Sequence, residues 1–162
     1  MEEIAQRRGA RGELYVLAQL GLLALVAFGP HALGPGGTWP GLWGQAARIA
    51  GVVLALTGGL FAMAGVLHLG SNLSPWPRPK EDSELVRSGA YRFVRHPIYT
   101  GLIFGSCGWA LFVNGPLTLL YAFLLIVLLD RKARYEEQWL RKKFSDYAGY
   151  QREVKRFIPF IY

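Results

Sequence analysis

The sequence predicts an all-α integral membrane protein with four transmembrane helices, the last two a helical hairpin, and a cytosolic cap formed by the loop before the hairpin and the C-terminal helix and tail. Three observations carry this prediction. Hydrophobic residues make up 52% of the 162 residues although the formal net charge is +7, so apolar and charged residues must be segregated along the chain. Residues 14–33, 49–69 and 97–129 contain no Asp, Glu, Lys or Arg, and each of the first two runs is about the length that spans a bilayer. Once four spans are drawn, all but one of the 18 Lys and Arg fall on one side, Arg48 being the exception. By the positive-inside rule that side is cytoplasmic, which places both termini in the cytosol.

The chain opens with a polar arm carrying Arg7, Arg8 and Arg11, in which Gly9 and Gly12 weaken any helix. The run 14–33 is too long for a signal-peptide core and reads as a retained helix, with Tyr15 at the interface. Gly29-Pro30 and then the glycine turn 34–37 end it. Residues 38–44 hold Trp39, Pro40 and Trp43 without a charge, which suits a short loop in the outer headgroup zone. A second helix is expected over 45–69, where Gly51, Gly58, Gly59 and Gly65 leave room for a close neighbour. His68 near its cytosolic end reads as an interfacial histidine bonded to backbone or water, with ligand contact as the alternative.

Residues 71–95 form a connection of about 25 residues with Pro75, Pro77 and Pro79, and loops of that length usually carry chemistry or a lid. The run 97–129 is too long for one span and is split by Asn114-Gly115-Pro116, a strong turn signal. Gly101 and Gly105 are expected to let the two arms of this hairpin approach closely. The charge-free part of the second arm, 117–129, gives only about 20 Å of helix against a hydrocarbon core of about 30 Å. That helix must therefore continue past Asp130, and 131–145 keep helical periodicity, with Tyr135, Trp139 and Leu140 on one side and Arg141, Lys142 and Lys143 on another. A gap near residues 121–129 would admit an acyl or prenyl chain between helices. The basic, aromatic tail 144–162 is expected to fold back on the interface. Residues 1–162 read as one domain, with 1–70 supplying two N-terminal helices and 71–162 the functional core.

Composition also excludes functions. Cys107 is the sole cysteine, which rules out an intrachain disulfide or a cysteine metal site and leaves it the role of a small buried apolar residue. His31, His68 and His96 have no metal-ligand spacing, so no catalytic metal is expected. The 34–37 glycines follow a membrane helix rather than a strand, so no dinucleotide-binding loop is present. Each basic cluster abuts an apolar span, which points to anionic lipid and away from nucleic acid.

The stretch 85–101, Leu-Val-Arg-Ser-Gly-Ala-Tyr-Arg-Phe-Val-Arg-His-Pro-Ile-Tyr-Thr-Gly, runs from a basic aromatic loop straight into an apolar helix. A hairpin returns the chain to the side it left, which brings Lys132, Arg134, Glu136 and Glu137 to the same interface as His96 and Tyr99. Lys132 and Glu136 are spaced i,i+4 and share a helix face; on their own they would read as a surface ion pair.

Together these stretches resemble the isoprenylcysteine carboxyl methyltransferase family and the related membrane phospholipid methyltransferases. The likeness rests on Leu85-Val86, Ser88-Gly89, Tyr91, Arg95-His96-Pro97-x-Tyr99-x-Gly101, Glu136-Glu137-x-x-Leu140, Phe144-x-x-Tyr147-x-x-Tyr150 and Ile158-Pro159. It covers roughly the last half of the chain. It implies methyl transfer from S-adenosylmethionine, bound in a cytosolic catalytic cap, to a lipidic or prenylated acceptor, best matched by prenylcysteine-type carboxyl O-methylation. By similarity, Leu85 and Val86 line the cofactor pocket with Tyr91 close by. His96, Pro97, Ile98 and Tyr99 contact the cofactor, and Glu136 binds it from the emerging helix.

Elementary chemistry agrees with those roles. His96 and Tyr99 can donate to the cofactor carboxylate, Glu136 can pair its ammonium, and Leu85, Val86 and Ile98 can pack on adenine. The family carries Arg four residues before the first Glu, associated with the acceptor carboxylate. Here Lys132 stands there, flanked by Arg131 and Arg134. Lysine keeps the charge and loses the planar fork, so Lys132 or Arg134 is the candidate acceptor-side catalytic residue. The acceptor stays open among a carboxylate, a phospholipid amine and a small thiol. A non-catalytic membrane scaffold that binds anionic lipid is the reading from another class.

Overall fold

The computed structural model describes residues 12–33 and 39–162. The arm with Arg7, Arg8 and Arg11 and the glycine turn 34–37 lie outside the described residues. The helices are α1 (Glu13–Phe28), α2 (Gly41–Leu69), α3 (Pro97–Phe112), α4 (Pro116–Lys143) and α5 (Tyr147–Glu153), with short 3-10 turns at Gly70–Asn72 and Gly89–Arg92. Among the described residues the only extended pairing is an isolated parallel bridge between Val94 and Lys155. The fold is therefore all-α.

Prolines set two boundaries differently from the sequence expectation. α1 stops at Phe28 rather than near Leu33, because Gly29 is extended (φ −70°, ψ 165°), as the residue before a proline tends to be. α2 begins at Gly41, directly after an extended Pro40, and so takes Trp43 into the helix rather than leaving it in a loop.

Glycines dictate how α2 meets α3. A Cβ added at Gly58 would lie 2.7 Å from the Gly101 carbonyl, and one at Gly51 would lie 2.5 Å from that of Gly108. Gly51 and Gly58 face Gly108 and Gly101, each pair seven apart, so the backbones themselves are in contact, and Gly65, seven residues further on, meets Pro97 and Ile98. This corrects two expectations. The glycine face of α3 meets α2 rather than the other arm of the hairpin, and neither Gly59 nor Gly105 would place a Cβ against anything within 4 Å.

α2 with its 3-10 extension is the one described helix long and apolar enough to cross a membrane by itself, with a mean hydropathy of 2.1 and only 17% of that window buried. A core helix of a soluble protein would be mostly covered. Leu56, Leu60, Met63 and Leu67 instead stand exposed along it, an apolar surface suited to lipid. α1 and α3 are apolar but 16 residues each, about 24 Å of helix.

α4 runs without a break for 28 residues through Asp130, as the short second arm required. Its buried face passes from Leu125 and Leu129 to Lys132, Ala133 and Glu137, so one helix carries the apolar core into a polar site. Ile103, Leu125, Leu129, Ala133 and Phe157 form that core, with Leu22 and Leu23 of α1 and a half-buried Cys107 packed against it. At the far end of the bundle, His31 bonds Thr118 Oγ1 at 3.0 Å and its carbonyl accepts the Leu117 N–H.

The tail folds back further than an interfacial segment would. Arg95 N–H donates to the Lys155 carbonyl at 2.8 Å and His96 N–H to that of Arg156 at 3.2 Å. Thr100 Oγ1 donates to the Phe157 carbonyl at 2.9 Å, and Phe157 is buried in the core. The last residues thus strap the start of α3.

Candidate functional site: a capped cavity where two helices meet

Pro97 is the first residue of α3 and is fully buried. With Ile98 it packs on Gly65 of α2, where any Cβ would come within 3.0 Å of the proline ring. That contact fixes the turn in which His96 immediately precedes the helix and Tyr99 lies in its first turn. From the other side α4 presents Glu136 and Glu137, whose side chains diverge by about 100° because they are consecutive in a helix.

The two carboxylates have separate surroundings. Glu136 is a quarter exposed and its Oε2 accepts the Tyr99 O–H at 2.8 Å. Glu137 is 2% exposed. Its Oε1 accepts Arg95 Nε at 3.0 Å, His96 Nε2 at 3.1 Å and Arg156 Nε at 3.1 Å. Its Oε2 accepts Arg156 Nη2 at 2.9 Å and Gln151 Nε2 at 2.8 Å. Burial would raise this carboxyl, but the bonds from His96 and Arg156 and the nearby Arg95 charge hold it far below the usual carboxylate range. His96 therefore sits between the pair, with Nδ1 3.9 Å from Glu136 Oε2 and its ring parallel to Tyr99 at 5.3 Å.

One cavity gathers these groups. Its cavity volume is about 110 Å³, and it opens to solvent on one side. Leu85, Val86 and Ile98 supply apolar wall, while Tyr91, His96, Tyr99 and Glu136 supply polar lining. Of the residues expected around a cofactor, only Pro97 does not line it; it lies beneath, shaping the turn. Trp76, Phe144, Tyr147 and Tyr150 add aromatic wall, and Asn72, Ser74 and Ser83 add polar groups from the loop.

The loop 71–96 is tied over this cavity from several sides. Lys143 Nζ bonds the carbonyls of Lys80 and Glu81 and the Ser83 hydroxyl, and Asn72 pairs with the backbone of Glu84. His68 bonds its own helix through Ala64 O at 2.6 Å, the backbone role expected of it. It also fills the space above Gly89, where a Cβ would fall 1.9 Å from the imidazole.

Lys132 and Arg134 are placed differently from each other and from the cavity lining. Lys132 is 3% exposed, and its ammonium donates to Gln19 Oε1 at 2.7 Å and Pro75 O at 3.3 Å and lies 5.1 Å over the Tyr99 ring. It is not the surface partner of Glu136. Arg134 is exposed, bonded to Asp130 at 2.7 Å and to the Tyr162 hydroxyl at 3.0 Å. It borders a separate groove with Ile126, Val127, Asp130 and Phe157, which overlaps the stretch where a gap for an apolar chain was expected.

Sequence reasoning missed the hub of Glu137, Arg95, Gln151 and Arg156, and it missed Tyr147 and Trp76 as wall. One signal was available. Two adjacent helical carboxylates cannot face the same way, and the cations of a tail that folds inward need a buried counter-charge.

Residues 46–147 match the phospholipid methyltransferase family. The protein-S-isoprenylcysteine O-methyltransferase of Saccharomyces cerevisiae is 31% identical over 117 residues, covering 70% of this chain and 49% of the yeast protein. A probable protein-S-isoprenylcysteine O-methyltransferase of Oryza sativa subsp. indica is 28% identical over 115 residues, 68% of this chain and 60% of its own. The chain thus spans about half the length of the yeast relative. A solved structure of the eukaryotic intramembrane Ras methyltransferase ICMT (isoprenylcysteine carboxyl methyltransferase) superposes with a TM-score of 0.65 at 23% identity, over 92% of this chain and 53% of that one. That likeness is one of fold.

Proposed function

The chain belongs to the phospholipid methyltransferase family, and from that premise we propose that it is an integral membrane methyltransferase that uses S-adenosylmethionine to methylate an amphiphilic acceptor, most like isoprenylcysteine carboxyl O-methylation. The observation that carries this reading is Glu136, a part-exposed carboxylate aimed by the Tyr99 hydroxyl into a cavity with apolar walls.

The lining fits the cofactor's chemistry. Glu136 pairs an ammonium, Leu85, Val86 and Ile98 receive a flat heterocycle, and Tyr91 and His96 offer polar contacts. When bound, S-adenosylmethionine supplies a methyl group on a cationic sulfur, which the acceptor oxygen takes as the sulfur becomes a neutral thioether. Little acid-base chemistry is asked of the protein. Its contribution is to hold the reactants in line and to exclude water, which is what the strapped loop and buried hub do. Tyr99 spends its proton on Glu136, so it orients that carboxylate.

Lys132 supports a carboxylate acceptor. Burial pushes its ammonium below the ordinary lysine value, opposed by Glu136, and among the described residues no carboxylate lies within ion-pair distance of it. An anionic headgroup at that spot restores the charge balance, whereas an amine headgroup is repelled. The membrane arrangement is four spans, with 130–143 emerging into the cytosol, both termini there, and the active site facing anionic lipid. Residues 1–162 act as one domain in which 71–162 carry the chemistry.

Calorimetric titration of the purified protein in nanodiscs with S-adenosylhomocysteine tests the cofactor. Saturable binding, lost in His96→Ala, supports it; no binding by folded protein favours a non-catalytic scaffold. Methylation of a prenylcysteine but not of phosphatidylethanolamine supports the acceptor assignment, and the reverse pattern makes the enzyme an amine N-methyltransferase.

A further inference from the structure

We propose that the Tyr147 hydroxyl is the donor that receives the carboxylate at the aminoacyl end of the cofactor, an inference that rests on the function proposed above. Among the described residues, two buried side-chain polar atoms have no hydrogen-bond partner: Asn114 Oδ1 and the Tyr147 hydroxyl. Asn114 belongs to the hairpin turn at the far end of the bundle. Tyr147 is 1% exposed and lines the cavity.

Packing does not account for this hydroxyl. Left unpaired in the interior it destabilises the fold, and phenylalanine would fill the same volume without it. Tyr150, on the same short helix, shows what a structural phenol looks like here, for its hydroxyl donates to the Tyr91 carbonyl at 2.5 Å.

The polar side chains nearest Glu136 are largely committed within the protein. The Tyr99 O–H goes to Glu136. Arg95 spends Nε and Nη2 on Glu137 and Nη1 on the carbonyls of Gln151 and Val154. His96 gives Nε2 to Glu137 and turns Nδ1 toward Glu136. A carboxylate that enters with an ammonium beside Glu136 therefore calls for a further donor, and Tyr147 holds a buried one that the fold leaves unspent.

Tyr147 lines the same cavity as Glu136, the carboxylate assigned to the ammonium at that end of the ligand. Burial first, and then the Glu137 charge, keep the phenol protonated well above its usual range, with Arg95 opposing and Glu136 adding to the effect. The hydroxyl thus sits within the field of the Glu136, Glu137 and Arg95 cluster as a donor at any working pH.

The test uses the full chain in nanodiscs and two ligands, S-adenosylhomocysteine and 5′-methylthioadenosine, which keeps the nucleoside and thioether and lacks the aminoacyl group. Affinity for the second is read by displacement of the first. Tyr147→Phe is expected to unfold at the wild-type temperature or higher, to bind S-adenosylhomocysteine about tenfold more weakly, and to bind methylthioadenosine unchanged. Tyr150→Phe, the structural control, is expected to unfold at a lower temperature. Wild-type affinity for S-adenosylhomocysteine in Tyr147→Phe overturns the inference while leaving the proposed function intact. Equal losses for both ligands overturn it by moving the contact to the nucleoside, and a lowered unfolding temperature overturns it by making the hydroxyl structural. Failure of the wild-type protein to bind S-adenosylhomocysteine overturns the proposed function and this inference with it.

Discussion

Glu136 and Glu137 are neighbours in sequence, and replacing each with glutamine is expected to damage different properties. Glu137→Gln leaves Arg95 and Arg156, with side chains 7% and 12% exposed, without the carboxylate between them. Removing one partner of a buried ion pair costs about 3–5 kcal/mol. Arg156 keeps Asp130 at 2.7 Å and Arg95 keeps two backbone carbonyls, which places the loss at the lower end, about 3 kcal/mol. For a chain of this size that is a fall of about 6–12 °C in unfolding temperature. Glu136→Gln still accepts the Tyr99 O–H and costs the fold about 1 kcal/mol or less. On the proposed function it is expected to lose a charge-assisted bond to the cofactor ammonium, worth about 1.5–3 kcal/mol, or about 10- to 150-fold in Kd. Thermal unfolding and calorimetric titration with S-adenosylhomocysteine, run on both variants, separate the effects. Equal destabilisation by the two substitutions, or wild-type affinity in Glu136→Gln, refutes this division of labour.

Acid stability should report the same hub. The folded Glu137 carboxyl lies far below its ordinary 4.5, so the unfolded state takes up the proton first as pH falls. The hub's contribution is complete above about pH 4.5 and is lost progressively below it, and an unfolding series from pH 6 to pH 2 should show a shallower acid slope in Glu137→Gln. Gly89 has φ +59° and no space for a Cβ beneath His68; Gly89→Ala should weaken S-adenosylhomocysteine binding by displacing the loop. The double variant with His68→Ala should recover part of that loss, and no recovery would put the strain in the backbone alone. Gly101→Val drives a side chain into Ala62 and the Gly58 carbonyl, and should lower the unfolding temperature more than Gly105→Val, which meets nothing.

The helices were legible because the charge-free runs are long and their edges are marked by Pro30, Pro40 and Asn114-Gly115-Pro116. Their partners were less so. A spacing of four between Gly101 and Gly105 suggested a contact within the hairpin, while the contact that forms obeys the spacing of seven shared by Gly51, Gly58 and Gly65 with Gly101 and Gly108. Recognising it requires comparing two distant segments, not scanning one. The residues expected around a cofactor come together because they cluster in two short stretches whose meeting the hairpin enforces. The hub was not legible, since it depends on the path of residues 144–162. Nothing local says that Arg156 and Phe157 turn inward until the Val94 to Lys155 bridge is known.

Lysine at position 132 gains a structural meaning from its surroundings. Its ammonium binds Gln19 of α1 and the Pro75 carbonyl of the loop while rooted in α4, so one cation joins three segments behind the Tyr99 ring. Two of its three N–H groups are thereby spent, and one remains. A guanidinium has five donors in a rigid fork and would keep a bidentate face for a carboxylate while holding a carbonyl. Lys132 thus provides charge without a fork, and recognition of a carboxylate acceptor must come from electrostatics more than from paired hydrogen bonds. Lys132→Met is then expected to raise KM for a carboxylate acceptor with little change in cofactor affinity. If Kd for S-adenosylhomocysteine rises as much as KM, the lysine acts through the loop at Pro75, and the acceptor charge is met elsewhere.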